Sequence, residues 1–147
     1  MPRVFIAVEN DLAYLAGLID GEGSISLSVR SDKTNRAWIG IRVAIGMTDE
    51  PVIRWLAATF GGSVSHRTRR DPRWRDVFIW TISQQQAAAL LKEVRPFLRV
   101  KYRQADVVML VAADLKYHRW NPVTERVIEG RQLAVKMMHE LNRRGAA

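Results

Sequence analysis

Two acidic side chains, Asp20 and Glu22, stand one residue apart in the stretch LAYLAGLIDGEGSISLSVR (residues 12–30), each followed by a glycine. Their setting is unusual for acids. The apolar run ahead of them reads as a helix from Asp11 to about Ile19, and a helix C-terminus carries partial negative charge that favours cations. Acids at such an end break a local rule, and breaches of that kind concentrate at functional sites. Carboxylates and carbonyl oxygens gathered there are the ligand types of a hard divalent cation such as Mg2+. Metals bridging a phosphate can stabilise both the attacking and the leaving oxygen of an in-line displacement.

The helix carrying these acids is apolar on every side, which calls for burial on two sides. Leu12, Leu15 and Ile19 form one face, suited to the chain's own sheet. Ala13, Ala16 and Gly17 form another, whose small side chains allow a second helix backbone to come close. Gly17 sacrifices about 1 kcal/mol of helix propensity against Ala, a loss that a matching helix would offset. The chain holds one copy of the stretch, so the expected match is the same helix of a second chain across a two-fold axis. An internal core helix is the plainer alternative, and it leaves the small-residue stripe unexplained. A two-fold axis at this place would bring two sets of acids to the centre of a basic dimer.

The remaining elements alternate. In residues 24–30, Ile25, Leu27 and Val29 share one strand face, and Ser24, Ser26, Ser28 and Arg30 share the other. A turn at 31–36 leads to a second strand over 38–46, with Ile39, Ile41, Val43 and Ile45 inward and Trp38, Gly40 and Arg42 outward. Thr48 is the expected cap of a helix with an apolar face of Val52, Trp55, Leu56 and Thr59, stopped by Gly61-Gly62. A second hairpin ascends from Ser63 to Arg69, turns at Asp71-Pro72 and descends from Arg75 to Ser83. Ser83 and Gln86 have capping-box spacing for a helix that ends before Pro96. Two further helices are expected over about Tyr102 to Leu115 and about Thr124 to Asn142, with Arg143-Arg144-Gly145 as the exit. This order predicts the α+β class: one antiparallel sheet with helices on a single face, in a single domain spanning 1–147.

The chain of 147 residues has 23 Lys+Arg against 15 Asp+Glu, a formal net charge of +8, as a surface for a polyanion requires. The placement of the arginines gives that charge a direction. The run HRTRRDPRWR, residues 66–75, holds five arginines against one aspartate. In the ascending strand Ser63, Ser65, Arg67 and Arg69 share a face, with Arg70 following; in the returning strand Arg75, Val77, Ile79 and Thr81 do. A two-stranded ribbon of this kind fits the DNA major groove, where Arg reads guanine bidentately and apolar groups meet the thymine methyl. Ser24, Ser26, Ser28, Arg30, Trp38, Gly40 and Arg42 extend the face. A solvated hairpin tip is the plainer reading. Trp55, Trp80 and Phe97 read as core, Trp74 and Trp120 as local packing beside loops, with stacking on nucleic acid the alternative, and His66, His118 and His139 as surface residues.

The absence of cysteine excludes disulfides and thiolate metal sites, and the three histidines have no zinc spacing, so any metal here is held by oxygen. No apolar run approaches the length of a membrane span, and the opening MPRVFIAVEND lacks the apolar core and cleavage site of a secretory signal. Cytoplasm or an organellar matrix is the expected location.

Leu15-Ala16-Gly17-Leu18-Ile19-Asp20-Gly21-Glu22-Gly23 resembles the signature of the LAGLIDADG homing endonucleases, departing from it at Gly21, often Ala, and Glu22, often Asp. Thr48 followed by Trp55 and Phe60-Gly61-Gly62, and later residues 96–105, PFLRVKYRQA, resemble segments of the single-motif members, so the likeness covers roughly residues 12 to 115. The resemblance implies a saddle-shaped sheet that recognises DNA and a motif helix at a two-fold homodimer interface. It implies that Glu22 coordinates catalytic metal, that Gly21 offers its backbone carbonyl, and that Asp20 orders the turn. It places Lys101 near the scissile phosphate, Asp49 where some relatives carry a water-positioning Gln, and Ile53 where some carry a second basic residue.

The implied activity is a Mg2+-dependent double-strand cut in a long, pseudo-palindromic target, with Mn2+ able to substitute and Ca2+ binding without supporting cleavage, in the service of intron homing. An intron RNA maturase or a DNA-binding regulator without cleavage is the alternative. Retention of Glu22 and Lys101, which a pure binder does not need, favours the nuclease.

Overall fold

The computed structural model of the protein describes residues 8–30 and 37–145, with Arg30, Arg144 and Gly145 described by their backbone alone. The turn expected at 31–36 and the opening heptapeptide lie outside the described residues, as does the side chain of Arg30. The elements are α1 (Glu9–Glu22), β1 (Gly23–Arg30), β2 (Trp38–Met47), α2 (Glu50–Phe60), β3 (Ser63–Arg67), β4 (Val77–Ser83), α3 (Gln84–Val94), a short 3-10 turn (Arg95–Phe97), α4 (Tyr102–Tyr117) and α5 (Glu125–Gly145). The strands form one antiparallel sheet in the order β1-β2-β4-β3.

The two-residue period of the strands decides what lies on each side of this sheet. Ile25, Val43 and Ile82 form one cross-strand row, and Ile45 and Trp80 belong to the next; all are buried. Helix residues Leu15, Ile19, Ile53, Leu56, Leu90, Val94 and Val108 close over this inner face. Each large side chain so buried contributes about 1.5–3 kcal/mol. Trp80 keeps its polar edge satisfied by donating from Nε1 to the Gly61 carbonyl at 2.7 Å. That corner requires glycine at 62: its φ is 88°, and a Cβ would lie 2.5 Å from the Thr81 carbonyl oxygen.

Several elements differ from the sequence expectation, each for a physical reason. Helix α1 does not break at Asp20 but continues through Gly21 and Glu22, because side-chain partners from elsewhere hold its last turn. Helix α2 is capped by Asp49, whose Oδ1 accepts from Val52 N at 3.2 Å, and not by Thr48. Its buried face is Ile53, Leu56 and Phe60, while Val52, Trp55 and Thr59 are half-buried. Trp55 instead makes edge-on contacts to Tyr14 and Phe60.

The Ser83 side chain makes no cap; as the last residue of β4 it keeps an extended backbone. Val29, expected inward, is 38% exposed near the end of the edge strand β1, although its ladder partner Ile39 on β2 is fully buried. Phe97 and Trp55 lie partly buried against the core. His118 is not a free surface residue: its ring is 13% exposed, with Nε2 3.5 Å from Asp114 and Nδ1 2.9 Å from the Pro122 carbonyl.

Candidate functional site

The end of α1 is built from two distant pieces of chain. At Gly23 the backbone turns so tightly that a Cβ would lie 2.7 Å from Ile19 Cα. The Asp20 carboxylate accepts from the backbone N–H groups of Arg99 at 2.8 Å and Lys101 at 2.9 Å, pinning the segment that leads into α4. The Lys101 ammonium, at the start of α4, donates to three carbonyls: Ile19 at 2.8 Å, Asp20 at 3.0 Å and Gly23 at 2.8 Å. No basic residue occupies the last turn of α1 itself. Lys101 supplies the cation that such a helix end favours, from about eighty residues further along. Burial pushes its pKa below the ordinary lysine range, opposed by the nearby charges of Asp20 and Glu22.

Asp20 is thus fully engaged. Glu22 is exposed and accepts no hydrogen bond from the described residues, and Gly21 is exposed beside it. The Gly21 carbonyl belongs to the last helical turn, where no N–H of the helix remains to meet it. Asp49 is exposed, with one carboxylate oxygen committed to capping α2. Ile53 is fully buried and belongs to the core.

Ala13 and Gly17 are exposed on α1, and nothing lies within 4 Å of where a Gly17 Cβ would stand. With Asp20, Pro96, Phe97 and Arg99 they line a recess of about 340 Å3. Ala16 does not join this stripe. It is fully buried in its own chain, because the helical step of about 100° per residue carries it round beside Leu15 and Ile19.

The outer face of the sheet gathers the residues that strand alternation assigned to it. The register places Ser28 opposite Gly40, Ser26 opposite Arg42 and Ser24 opposite Ala44. It continues through Arg42 opposite Ser83 and Ala44 opposite Thr81, and ends with Thr81 opposite Ser63, Ile79 opposite Ser65 and Val77 opposite Arg67. Ser24, Ser28, Trp38, Arg42, Ser63, Ser65 and Arg67 are exposed, while Ser26, Gly40, Val77 and Ile79 are half-buried. Ala44 and Ser83 share this face and were missed by the sequence reading; continuing the same alternation one pair further would have found them.

Arg69, Arg70 and Arg75 are exposed but lie outside the strands, which end at Arg67 and begin at Val77. Local bonds make a compact turn there in place of a ladder. Asp71 accepts from the Arg73 guanidinium and backbone N–H, which hold its carboxyl below the usual range. His66 stacks on Phe78 with ring centres 4.7 Å apart and lies 2.8 Å from Asp76. Trp74 and Trp120 are exposed, at 63% and 83%.

A family model described as LAGLIDADG endonuclease matches residues 15–107. DNA endonuclease I-CreI of Chlamydomonas reinhardtii is 24% identical over 112 residues, covering 76% of this chain and 68% of that protein. Among solved structures, the homing endonuclease I-CvuI in complex with its target and Ca2+ superposes with a TM-score of 0.74 at 19% identity, over 90% of this chain and 82% of that one. The same enzyme on the I-CreI target with Mg2+, its DNA not cleaved, gives 0.72 at 17% identity with the same coverage of both chains, 90% and 82%. The meganuclease I-SmaMI, bound to uncleavable DNA, gives 0.68 at 14% identity over 85% of this chain and 43% of that one.

Proposed function

Because the chain belongs to the LAGLIDADG endonuclease family, we propose that two copies of it form a homodimer that cuts both strands of a long, partly palindromic DNA target with Mg2+. One observation carries the reading. Asp20 and the carbonyls around it are occupied by Lys101 and the backbone of residue 99, which leaves the Glu22 carboxylate and the Gly21 carbonyl as the open oxygen donors at the end of α1. An oxygen-only donor set fits a hard cation. Among the described residues no three acidic or histidine side chains converge on one point, so one protomer offers an incomplete ligand set. A second Glu22 across a two-fold axis and a DNA phosphate would complete it.

A bound Mg2+ supplies phosphate polarisation and a water of lowered pKa. The protein's own part is to hold Glu22 rigidly at the end of a helix whose last turn is tied down by Lys101. The Lys101 ammonium also adds positive charge beside the place where the phosphate sits.

The dimer is supported by the exposed small residues Ala13 and Gly17 beside the recess on α1. It is supported too by the match to I-SmaMI, of which this chain fills 43%, the proportion expected where a longer chain holds two such units. The outer sheet face, with Arg42, Arg67 and the serine rows, reads the DNA, and Arg69, Arg70 and Arg75 reach its backbone. Mobility of an intron is the biological role this activity serves.

The test is to enrich a target from randomised duplex DNA with the purified protein, then to incubate that target with Mg2+, Ca2+ or EDTA. Double-strand cutting is expected with Mg2+ alone. Glu22→Gln should abolish cutting while binding persists; a mutant that cuts as the wild type does would refute the assignment of the metal ligand. Specific binding without cleavage by the wild type would establish a binding protein in place of a nuclease.

A further inference from the structure

The edge of β2 that faces β4 is only partly paired. The ladder runs from Met47 opposite Phe78 to Arg42 opposite Ser83 and stops there, because the chain turns into α3 at the next residue. Four residues of β2, from Trp38 to Ile41, lie beyond it on that edge. The side chain of Gln84 fills the place of the missing strand. Its Oε1 accepts from Ile41 N–H at 2.7 Å and its Nε2 donates to the Ile39 carbonyl at 3.3 Å. A carboxamide that accepts from the N–H of residue i and donates to the carbonyl of residue i−2 reproduces what the C=O and N–H of one residue in a parallel neighbouring strand offer.

The backbone of Gln84 is held for this purpose in a form a glutamine avoids, with a φ of 55°. Strain of this sort persists where the surroundings enforce it and clusters at functional sites. The stretch so held presents Trp38, Gly40 and Arg42 on the outer face, and through the β1 pairing it also carries Ser28 and Ser26. Where β4 leaves the sheet a recess of about 310 Å3 opens on that face, lined by Ser28, Trp38, Arg42, Thr81 and Ser83.

We propose that Gln84 is a positioning residue for DNA read-out, its carboxamide standing in for a strand and fixing the outer half of β2 so that Trp38, Gly40 and Arg42 keep their register on the bases. This inference rests on the outer sheet face being a DNA-reading surface. It assigns base discrimination to a residue whose carboxamide is committed to the backbone of its own sheet.

The test compares the wild type with Gln84→Asn and Gln84→Gly in selection from randomised duplex DNA, scored position by position. Both replacements tolerate the positive φ, so the fold is retained, yet neither can span the two β2 groups. Their target preferences should stay intact at base pairs read by the β3–β4 ribbon and fall, from about tenfold or more per mismatch to about twofold, at the pairs read by the outer half of β2. Exchange of the Ile41 amide hydrogen should accelerate at least about tenfold in both variants, because its acceptor is gone.

Unchanged discrimination at every position would overturn the role, as would an equal loss at all positions accompanied by a lowered Tm. Should the wild type enrich no sequence at all, the DNA-reading premise falls and the role with it, whatever the Ile41 amide does.

Discussion

Replacing Lys101 with methionine keeps the aliphatic stem and removes only the ammonium that the carbonyls of Ile19, Asp20 and Gly23 share; the Ile19 carbonyl keeps the Gly23 backbone N–H. Three charge-assisted bonds of 2.8–3.0 Å are lost. In isolation each is worth about 1.5–3 kcal/mol, but the sum does not carry over. The ammonium is desolvated by the same packing that positions it, water reaches one side of it, and the freed carbonyls can be hydrated there. A cation at a partly buried helix C-terminus is worth up to about 2 kcal/mol, and that is the net loss expected. At about 3 °C per kcal/mol for a chain of this size, the Tm should fall by about 6 °C. The assay is thermal unfolding followed by circular dichroism at a single protein concentration, since self-association would add a concentration-dependent term. Lys101→Met combined with Asp20→Ala should lose less than the two single losses added, because both residues serve one knot. A shift of under about 1 °C for Lys101→Met would refute the claim that this ammonium secures the helix end.

Gly17→Leu should stabilise the isolated protomer by about 0.5–1 kcal/mol, since leucine is the better helix former and no atom lies within 4 Å of the added Cβ, but should abolish association; a mutant that still sediments as a dimer would rule out this interface. Gly62→Ala should destabilise by at least about 2 kcal/mol, read from urea unfolding, because it adds strain at positive φ to a clash with the Thr81 carbonyl. Asp106 is paired with Arg95 at 2.7 Å, and that hydrogen bond lowers its pKa from the ordinary 3.8. A carboxyl whose folded pKa is depressed stabilises the fold above its unfolded value and ceases to do so as pH drops through the folded one. Acid titration of unfolding should therefore show a stability loss below about pH 4 that is smaller in Arg95→Met; identical acid profiles would remove the pair from the account.

The strands were legible because burial on one face imprints a period of two on the residues themselves: Ile25 and Leu27, and Ile39 through Ile45, declare the inner face, and the serines and arginines between them the outer one. Asp20 and Glu22 announced a site because they offend a local rule. How the offence is resolved was not legible, since Lys101 arrives from α4 and no window around residue 20 contains it. The same holds for Gln84, whose side chain bonds β2 more than forty residues away. Ala16 was misassigned for a smaller reason: on a helix apolar all round, residue types alone do not show where the stripe facing the chain's own core ends. Thr48 and Asp49 are both capping residues, and only the backbone at Pro51 decides between neighbours of equal chemistry.

The pleat that separates isoleucines from serines has a consequence for how such a protein changes its target. Side chains on the outer face contribute almost nothing to the core, so under the DNA-reading role proposed for that face Ser24, Ser63, Ser65 and Arg67 can be exchanged for other residues without endangering the fold. Recognition can drift while the scaffold stands still. That liberty has a boundary at Gly40, where any Cβ would come within 2.6 Å of the Ser28 hydroxyl. A side chain at position 40 therefore requires the Ser28 hydroxyl to rotate aside, and the choice at one of the two positions narrows the choice at the other.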